Sequence, residues 1–336
     1  MDSPSFQGIS VVMPILNEER HLAESVGAIL EQDWDGPLEV VLALGPSQDR
    51  TDEVAARLQA ADARVRTVAN PTGRTPDALN AAIGAASYDV VARVDGHGIL
   101  SPGYLKTAAV TLQDTGAANV GGIMDAEGTT DFERAVAVAM KSKIGVGGVK
   151  FKQGGAAGPA DTVYLGVFRG DWLRKVGGYD RRYIRAQDWE MNFRIRRQGG
   201  VVWFTPDLRV TYRPRGSFRA LSRQYREYGR WRRVVAREHQ GSINARYLAP
   251  PVALAAIAIG TVGGLVRRPL WVIPAAYAGG VTVGGLAISR GSARAVRVLV
   301  PGVLATMHLS WGWGFLTSRV RLTDDVQRMS SNTPVA

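Results

Sequence analysis

The sequence predicts an α/β protein: a mainly parallel sheet covered by helices, followed by a basic interfacial helix and C-terminal transmembrane helices. Three observations lead there. Residues 1 to 212 alternate short Val/Ile/Leu runs with amphipathic stretches, the pattern of strands joined by crossover helices. From Arg213 to Arg246 ten arginines stand against Glu227 and Glu238 and supply +8 of the formal charge of +11. Beyond Tyr247 the chain is almost wholly apolar.

The elements follow in order. Ile9 to Pro14 reads as a strand ended by proline, and Asn17-Glu18-Glu19 opens a helix towards Glu31 with its acids in the first turn. Leu38 to Leu44 is a second strand and Asp52 to Ala61 a second helix; Arg64 to Ala69 and Pro76 to Ala86 repeat the pair, and a strand over Tyr88 to Val94 closes the series. Such a β-α-β-α-β-α-β run builds a parallel sheet whose ligands bind beyond the carboxyl ends of its strands. Asn17-Glu18 and Asp95 stand at two such ends.

The remaining boundaries come from composition: a catalytic domain over residues 1–212, a basic amphipathic segment over 213–246, three transmembrane helices within 247–322 and a polar tail over 323–336. In the basic segment Leu221, Tyr225, Tyr228, Trp231, Val234 and Val235 recur at helical spacing among the arginines. This pattern suits a helix lying on an anionic leaflet; beside apolar spans it argues against nucleic acid as the partner. The expected spans are Tyr247 to Val266, Pro269 to Ser289 and Val296 to Ser318, each near the roughly 20 residues that cross a bilayer core. Charges fall between them, at Arg267 and Arg268 and at Arg290 and Arg294, with Arg297 at the edge of the third span. Three crossings put the Arg290 to Arg297 loop on the cytosolic side with the catalytic domain, in a multi-pass protein of the inner (plasma) membrane.

The chain has 336 residues, 46% of them hydrophobic, and no cysteine, which excludes disulfides, thiolate chemistry and Cys-ligated zinc. Its first residues carry an acid and no apolar core, so no signal peptide is expected.

The chemistry concentrates at Asp95-Gly96-His97. Residues i and i+2 of a strand face the same way, so Asp95 and His97 can reach one divalent cation, and Gly96 leaves room for a bulky anion. A carboxylate with an imidazole suits Mn²⁺ better than Mg²⁺. Without a ligand, the same triplet is a turn with a capping Asp and a solvated His.

Five segments carry a resemblance in the expected order: Pro14-Ile15-Leu16-Asn17-Glu18-Glu19, Arg74-x-x-x-Ala78-Leu79-Asn80-x-Ala82, Asp95-Gly96-His97, Val176-Gly177-Gly178-Tyr179-Asp180 and Gln187-Asp188-Trp189-Glu190. Together, over about residues 8 to 235, they resemble the family 2 inverting glycosyltransferases with the nucleotide-diphospho-sugar transferase (GT-A) fold, most nearly the membrane-attached enzymes of succinoglycan-type exopolysaccharide assembly. The resemblance implies donor contacts at Pro14, Asn17, Glu18, Arg74 and Asp95, a metal on Asp95 and His97, Asp188 as the base that deprotonates the acceptor hydroxyl, and acceptor contacts at Glu190, Arg230 and Trp231.

It also implies a nucleotide-diphosphate sugar as donor, with UDP expected, and a polyprenyl-diphosphate-linked or other lipid-linked glycan as acceptor. Two departures stand out. Relatives carry an acid after the second strand that reads the uracil, where this chain has Leu44-Gly45-Pro46-Ser47-Gln48-Asp49; and Arg230-Trp231 ends a Q-x-x-R-W-like motif whose Gln is replaced by Glu227. A polyprenyl-phosphate sugar synthase, a processive synthase and a non-catalytic nucleotide-sugar-binding membrane protein are the alternatives. On residues alone, Asp188 also suits a helix N-cap and Glu190 a first-turn acid.

Overall fold

Seven elements alternate from the N-terminus: β1 (Ile9–Ile15), α1 (Leu22–Leu30), β2 (Leu38–Leu44), α2 (Thr51–Ala61), β3 (Val65–Ala69), α3 (Thr75–Ala85) and β4 (Val90–Arg93). They come from a computed structural model that describes residues 6–331, with side chains of the last helix described to Gln327. β5 (Ile99–Leu100), α4 (Tyr104–Thr115) and β6 (Asn119–Ala126) follow, then α5 (Asp131–Met140), α6 (Lys143–Val146) and α7 (Lys150–Gln153). β7 (Gly158–Pro159), β8 (Tyr164–Arg169), α8 (Gly170–Val176), α9 (Gln187–Arg197) and β9 (Val202–Tyr212) return to the sheet. α10 (Phe218–Glu238), α11 (Ala245–Gly264), a 3-10 turn (Arg268–Trp271), α12 (Val272–Ile288), α13 (Arg294–Leu316) and α14 (Leu322–Ser331) complete the chain.

Two units divide these elements. The first contains the chain up to Asp125, Gly154–Tyr212 and the segment from Thr323; the second contains Ala126–Gln153 and Arg213–Leu322.

In the first unit nine strands form one sheet in the order β3-β2-β1-β4-β8-β6-β9-β5, with β7 paired to β9. β1 lies between β2 and β4 and runs parallel to both, and β3 is parallel to β2. The parallel half matches the expectation. Beyond it β8 is antiparallel to both β4 and β6, and β5 and β7 are antiparallel to β9, so the sheet is mixed. β1 is buried on both faces and the core assembles around it from Val11, Met13, Leu22, Val40, Leu42 and Val90, as a sheet covered by helices requires.

Pro14 does not end β1, which continues to Ile15 in register with Leu44. The carbonyl of Val12 accepts from the Val94 amide, so in a parallel ladder residue 14 turns its backbone towards β4 as well. The β1–β4 pairing stops at Val12–Arg93, and at Pro14 no amide is needed. The first helix begins at Leu22, later than expected, because Asn17 adopts a left-handed φ of 55° and residues 16–21 turn instead.

Since β1 pairs with β2 on one side and β4 on the other, connections leave it in opposite directions. The crevice of such a switch point lies at the carboxyl ends of β1 and β4. Asn17, Glu18, Asp95 and His97 all stand there.

In the second unit α13 is the interior helix: Val296, Val300, Val303, Leu304, Met307 and Phe315 are buried. Among the described residues two helices are long and apolar enough to cross a membrane, Ala245–Gly264 and Arg268–Ile288, and little of either is buried. The third expected span falls on α13, which buries one side and leaves Val298, Trp313 and Leu316 exposed. The amphipathic pattern of the basic segment also emerges as a helix, α10, but its apolar face, including Leu221, Tyr225, Val234 and Val235, packs within the unit and not outward.

Candidate active site

Three groups meet at the end of β4. β4 ends at Arg93, and Asp95-Gly96-His97 follow it in a turn that the Gly98 amide closes on the Asp95 carbonyl at 2.8 Å, so the strand spacing expected of Asp95 and His97 is not formed. Arg93 is 5% exposed and sends Nη2 to Asp95 Oδ1 at 2.9 Å and Nε to the same oxygen at 3.2 Å. Its Nη1 donates to Asp188 Oδ1. One guanidinium thus joins the two carboxylates that the sequence had assigned separate tasks. Sequence reasoning missed Arg93, and the signal was available: a lone charge in the apolar run Val90-Val91-Ala92-Arg93-Val94, two residues before Asp95.

Asp188 is not an N-cap. α9 begins one residue earlier, at Gln187, and its N-cap is Ala186 with a left-handed φ of 60° and no side-chain cap. The carboxylate is therefore turned to Arg93 and sits in the first turn, where the helix dipole favours a negative charge.

Tyr179 closes the other side. Its ring lies 5.9 Å from Arg93 Cζ and its hydroxyl is buried. Asn80 fixes this loop by accepting from the Tyr179 amide at 2.8 Å and donating to its carbonyl at 2.7 Å, which accounts for an Asn in the Arg74-to-Ala82 segment.

Electrostatics separate the two acids. Burial pushes Asp95 up, but Arg93 and His97 outweigh it and hold the carboxyl below its ordinary value. Burial also pushes Asp188 up; Arg93 pulls the other way, Asp95 adds to the rise, and the net displacement is upward. Arg93 loses by burial and gains more from Asp188 and Asp95, so it stays charged. Burial, together with Asp188, keeps Tyr179 protonated. A carboxylate with a raised pKa is the better base of the pair.

His97 does not face solvent alone. Its Nδ1 lies 2.7 Å from Glu18 Oε1. The carboxylate can only accept, so Nδ1 donates to it; in the neutral ring this fixes the tautomer that leaves Nε2 as the basic nitrogen, the orientation that metal-binding histidines receive from a neighbouring acid. Gly96 is needed for this approach. A Cβ there would stand 2.8 Å from Glu18 Cγ and 3.0 Å from Ile15 Cδ1, so the missing side chain makes room first for Glu18. Asp95 and His97 fit a divalent cation by type, as an anionic oxygen and an oriented nitrogen. Among the described residues no group of three or more His, Cys, Asp or Glu gathers as a metal site.

The remaining donor residues are tied into loops. Asn17 accepts from the Gln48 amide at 2.8 Å and donates its own amide to Ser47 at 3.0 Å, joining the ends of β1 and β2. Asp49 accepts from the Thr51 and Glu19 amides, so it organises the start of α2. Arg74 is held by Asp77, Nε to Oδ2 at 2.7 Å, and donates Nη1 to the Val326 carbonyl of α14 at 3.3 Å. A cavity of about 380 Å³ opens beside these loops, with Leu44, Pro46, Thr67 and Pro71 in its walls and Asp52 and Asn70 as polar groups.

Two of the residues expected at the acceptor are buried. Glu190 is 1% exposed and bound at both oxygens by Arg194, at 2.7 and 2.8 Å, while Arg194 also donates to the carbonyls of Val176 and Gly178. A carboxylate held in this way braces the Gly177-Gly178-Tyr179 loop. Trp231 is 1% exposed, a core side chain of the second unit and not a floor for an acceptor. Arg230 in the same helix pairs with Glu227 at 2.7 Å, which gives the departure from Gln at that position a structural partner.

A mixed sheet in this order, with Asp95 and Asp188 bridged at its switch point, is the arrangement of the GT-A fold. Residues 10–169 match the model described as "Glycosyl transferase family 2". The chain is 30% identical over 308 residues to the succinoglycan biosynthesis protein ExoA of Rhizobium meliloti (strain 1021), covering 91% of this chain and 93% of that one. The chain therefore belongs to glycosyl transferase family 2.

A second relative is 24% identical over 251 residues, 72% of this chain and 77% of its own: the dolichyl N-acetyl-α-D-glucosaminyl phosphate 3-β-D-2,3-diacetamido-2,3-dideoxy-β-D-glucuronosyltransferase of Methanococcus voltae. Among solved structures, the mannosyltransferase PcManGT from Pyrobaculum calidifontis, in complex with GDP-Man and Mn²⁺, aligns with a TM-score of 0.63 at 19% identity, over 94% of this chain and 89% of that one. S. aureus TarS 1-349, in complex with UDP-GlcNAc, aligns with a TM-score of 0.51 at 15% identity, over 92% and 91%. These two establish likeness of fold.

Proposed function

We propose that this glycosyltransferase inverts: it moves a sugar from a nucleotide-diphosphate donor to a lipid-linked glycan at the membrane in a single displacement, with Asp188 as base. The observation that carries the reading is the Asp95–Arg93–Asp188 bridge, which links a carboxylate at the donor end of β4 to a second, more basic carboxylate on α9. An inverting transfer needs one base opposite the leaving group and no second nucleophile.

In this reading Asp188 takes the acceptor hydroxyl proton as oxygen attacks the anomeric carbon. Arg93 keeps the two acids from repelling each other and orients Asp188, and Tyr179 stays neutral as a hydrogen-bond donor beside them. Asp95 and the Nε2 atom of His97 would hold Mn²⁺ or Mg²⁺ against the donor, and that ion would offset the charge growing on the leaving diphosphate. Arg74 adds positive charge at the mouth of α3. The cavity beside β2 and β3 suits the base of the nucleotide, with Asp52 and Asn70 as the polar groups that would read it. UDP remains the expected carrier; GDP is the one bound by the mannosyltransferase of the same fold.

Support for a lipid-linked acceptor comes from the Methanococcus relative, whose name carries a dolichyl phosphate, and for exopolysaccharide assembly from the succinoglycan relative. Membrane attachment, with the catalytic unit in the cytosol where nucleotide sugars are made, rests on the two apolar helices.

The test is a screen of radiolabelled nucleotide sugars against a lipid extract, using the full chain in detergent, with and without Mn²⁺. Transfer of one sugar into the lipid fraction, lost in Asp188→Asn, is the expected result. Undiminished transfer by Asp188→Asn would remove the base and favour a phosphate acceptor.

A further inference from the structure

Within the first unit the last helix returns to the start of α3. α14 enters this unit at Thr323, buries Thr323 and Val326, and presents the Val326 carbonyl to Arg74. The chain therefore leaves the unit after Tyr212 and re-enters it at Thr323. A folded unit occupies one side of a membrane, so whatever lies between these points crosses the bilayer an even number of times.

Three apolar helices lie between them, and one must stay out. Within the second unit α10 and α13 run alongside each other in parallel: Ser222 meets Ser310 at 2.8 Å, Ser318 donates to the Arg230 carbonyl at 2.9 Å, and Arg237 donates to the Arg319 carbonyl at 2.8 Å. Their backbones touch, since a Cβ on Gly229 would collide with Trp311 and one on Gly314 with Arg226. Were α13 to cross, α10 would be drawn into hydrocarbon with its seven arginines. Arginines in the hydrocarbon are strongly disfavoured, and those in the middle turns of a 21-residue helix cannot all reach the interface. No apolar gain from one helix offsets that.

The other two helices have the opposite surroundings. Val252, Ile259, Val262, Val272 and Val283 point outward, and Leu265 near the turn is 77% exposed. At 20 residues α11 spans about 30 Å, the thickness of the hydrocarbon core, and the 21 residues from Arg268 to Ile288 match it.

We infer that α11 and α12 form a two-crossing hairpin whose lipid contacts are these outward faces, that the Arg267-Arg268 turn lies across the membrane from the active site, and that α13 and α14 stay on the catalytic side. This rests on the membrane reading above and departs from three crossings, in which α14 would emerge on the far side.

The absence of cysteine makes the test direct. Single cysteines are introduced in the full chain as Ala60→Cys in α2, Pro269→Cys at the hairpin turn, Gly291→Cys between α12 and α13, and Gln327→Cys in α14. Sealed inverted and right-side-out vesicles are treated with a membrane-impermeant maleimide. The expected result is that 60, 291 and 327 label from one side and 269 only from the other. Labelling of 327 from the side of 269 restores three crossings and overturns the inference. So does labelling of 269 from the catalytic side, which would mean that the hairpin does not cross. Release of the protein by alkaline carbonate would sink the membrane reading itself, a result distinct from either labelling outcome.

Discussion

Arg93 on β4 and Asp188 on α9, 95 residues apart in the chain, share a hydrogen bond at the carboxyl end of the sheet. Arg93 reaches this point buried, and its other donors hold Asp95. Burying a guanidinium is costly unless it is paired, and here two carboxylates pair it.

Removing that charge leaves two acids facing each other. Arg93→Met is expected to destabilise the folded chain by about 2–4 kcal/mol, below the roughly 3–5 of a fully buried pair, because Asp188 is 33% exposed. Arg93→Lys keeps the charge but not the fork, and should recover part of the loss. Thermal unfolding in detergent measures both; a neutral Arg93→Met would show that the bridge contributes nothing to stability.

Asp188→Asn should lower kcat for transfer by about 10²–10⁴-fold, the usual worth of a positioned base, with little change in donor affinity. Donor binding by calorimetry beside transfer kinetics separates the two effects. A comparable loss of donor affinity would reassign Asp188 to the donor.

The pH profile has a defined sign. Asp188 works as a base only when deprotonated, and burial, with Asp95 adding to it against Arg93, raises its pKa. Activity should therefore fall, as pH is lowered, through a midpoint above the ordinary aspartate value of about 3.9. A kcat/KM profile flat down to that value would exclude Asp188 as the titrating base.

Glu18 is expected to act through His97. Glu18→Gln would relax the choice of tautomer and weaken Mn²⁺ activation by about 10–100-fold, the common cost of losing a second-sphere carboxylate. His97→Ala should weaken it at least as much. Manganese titrations of transfer activity give both values, and identical curves for wild type and His97→Ala would remove His97 as a ligand.

Glu190→Gln separates support from substrate binding. It takes the charge from a buried pair with Arg194 and should lower the unfolding temperature by several degrees, at a cost of about 3 kcal/mol. An unchanged unfolding temperature with a raised acceptor KM would return Glu190 to the acceptor site.

Much of the site was legible because strands and helices impose short periods. The alternation of apolar runs located β1 to β4, and an acid at a strand end located Asp95. Arg93 was visible by the same period of two that paired Asp95 with His97 in the sequence, yet a charge in an apolar run reads equally as a surface residue of an edge strand. Nothing local says that β4 sits between β1 and β8, where its side chains are buried. The partners of Glu190 and Trp231 were likewise invisible. Glu190 is claimed by Arg194 one helical turn away, a spacing common on solvent-exposed surfaces, and only the packing of α9 makes that pair buried.

By itself the sequence determined the alternating α/β half, the order of the acidic motifs, the basic helix and the apolar end, because each is written in composition and in periods of two or 3.6 residues. Tertiary structure decided which carboxylate meets which cation, why Gly96 must lack a side chain, and that the chain beyond the apolar helices comes back to Arg74. Those are contacts between residues distant in the chain, and no local period encodes them.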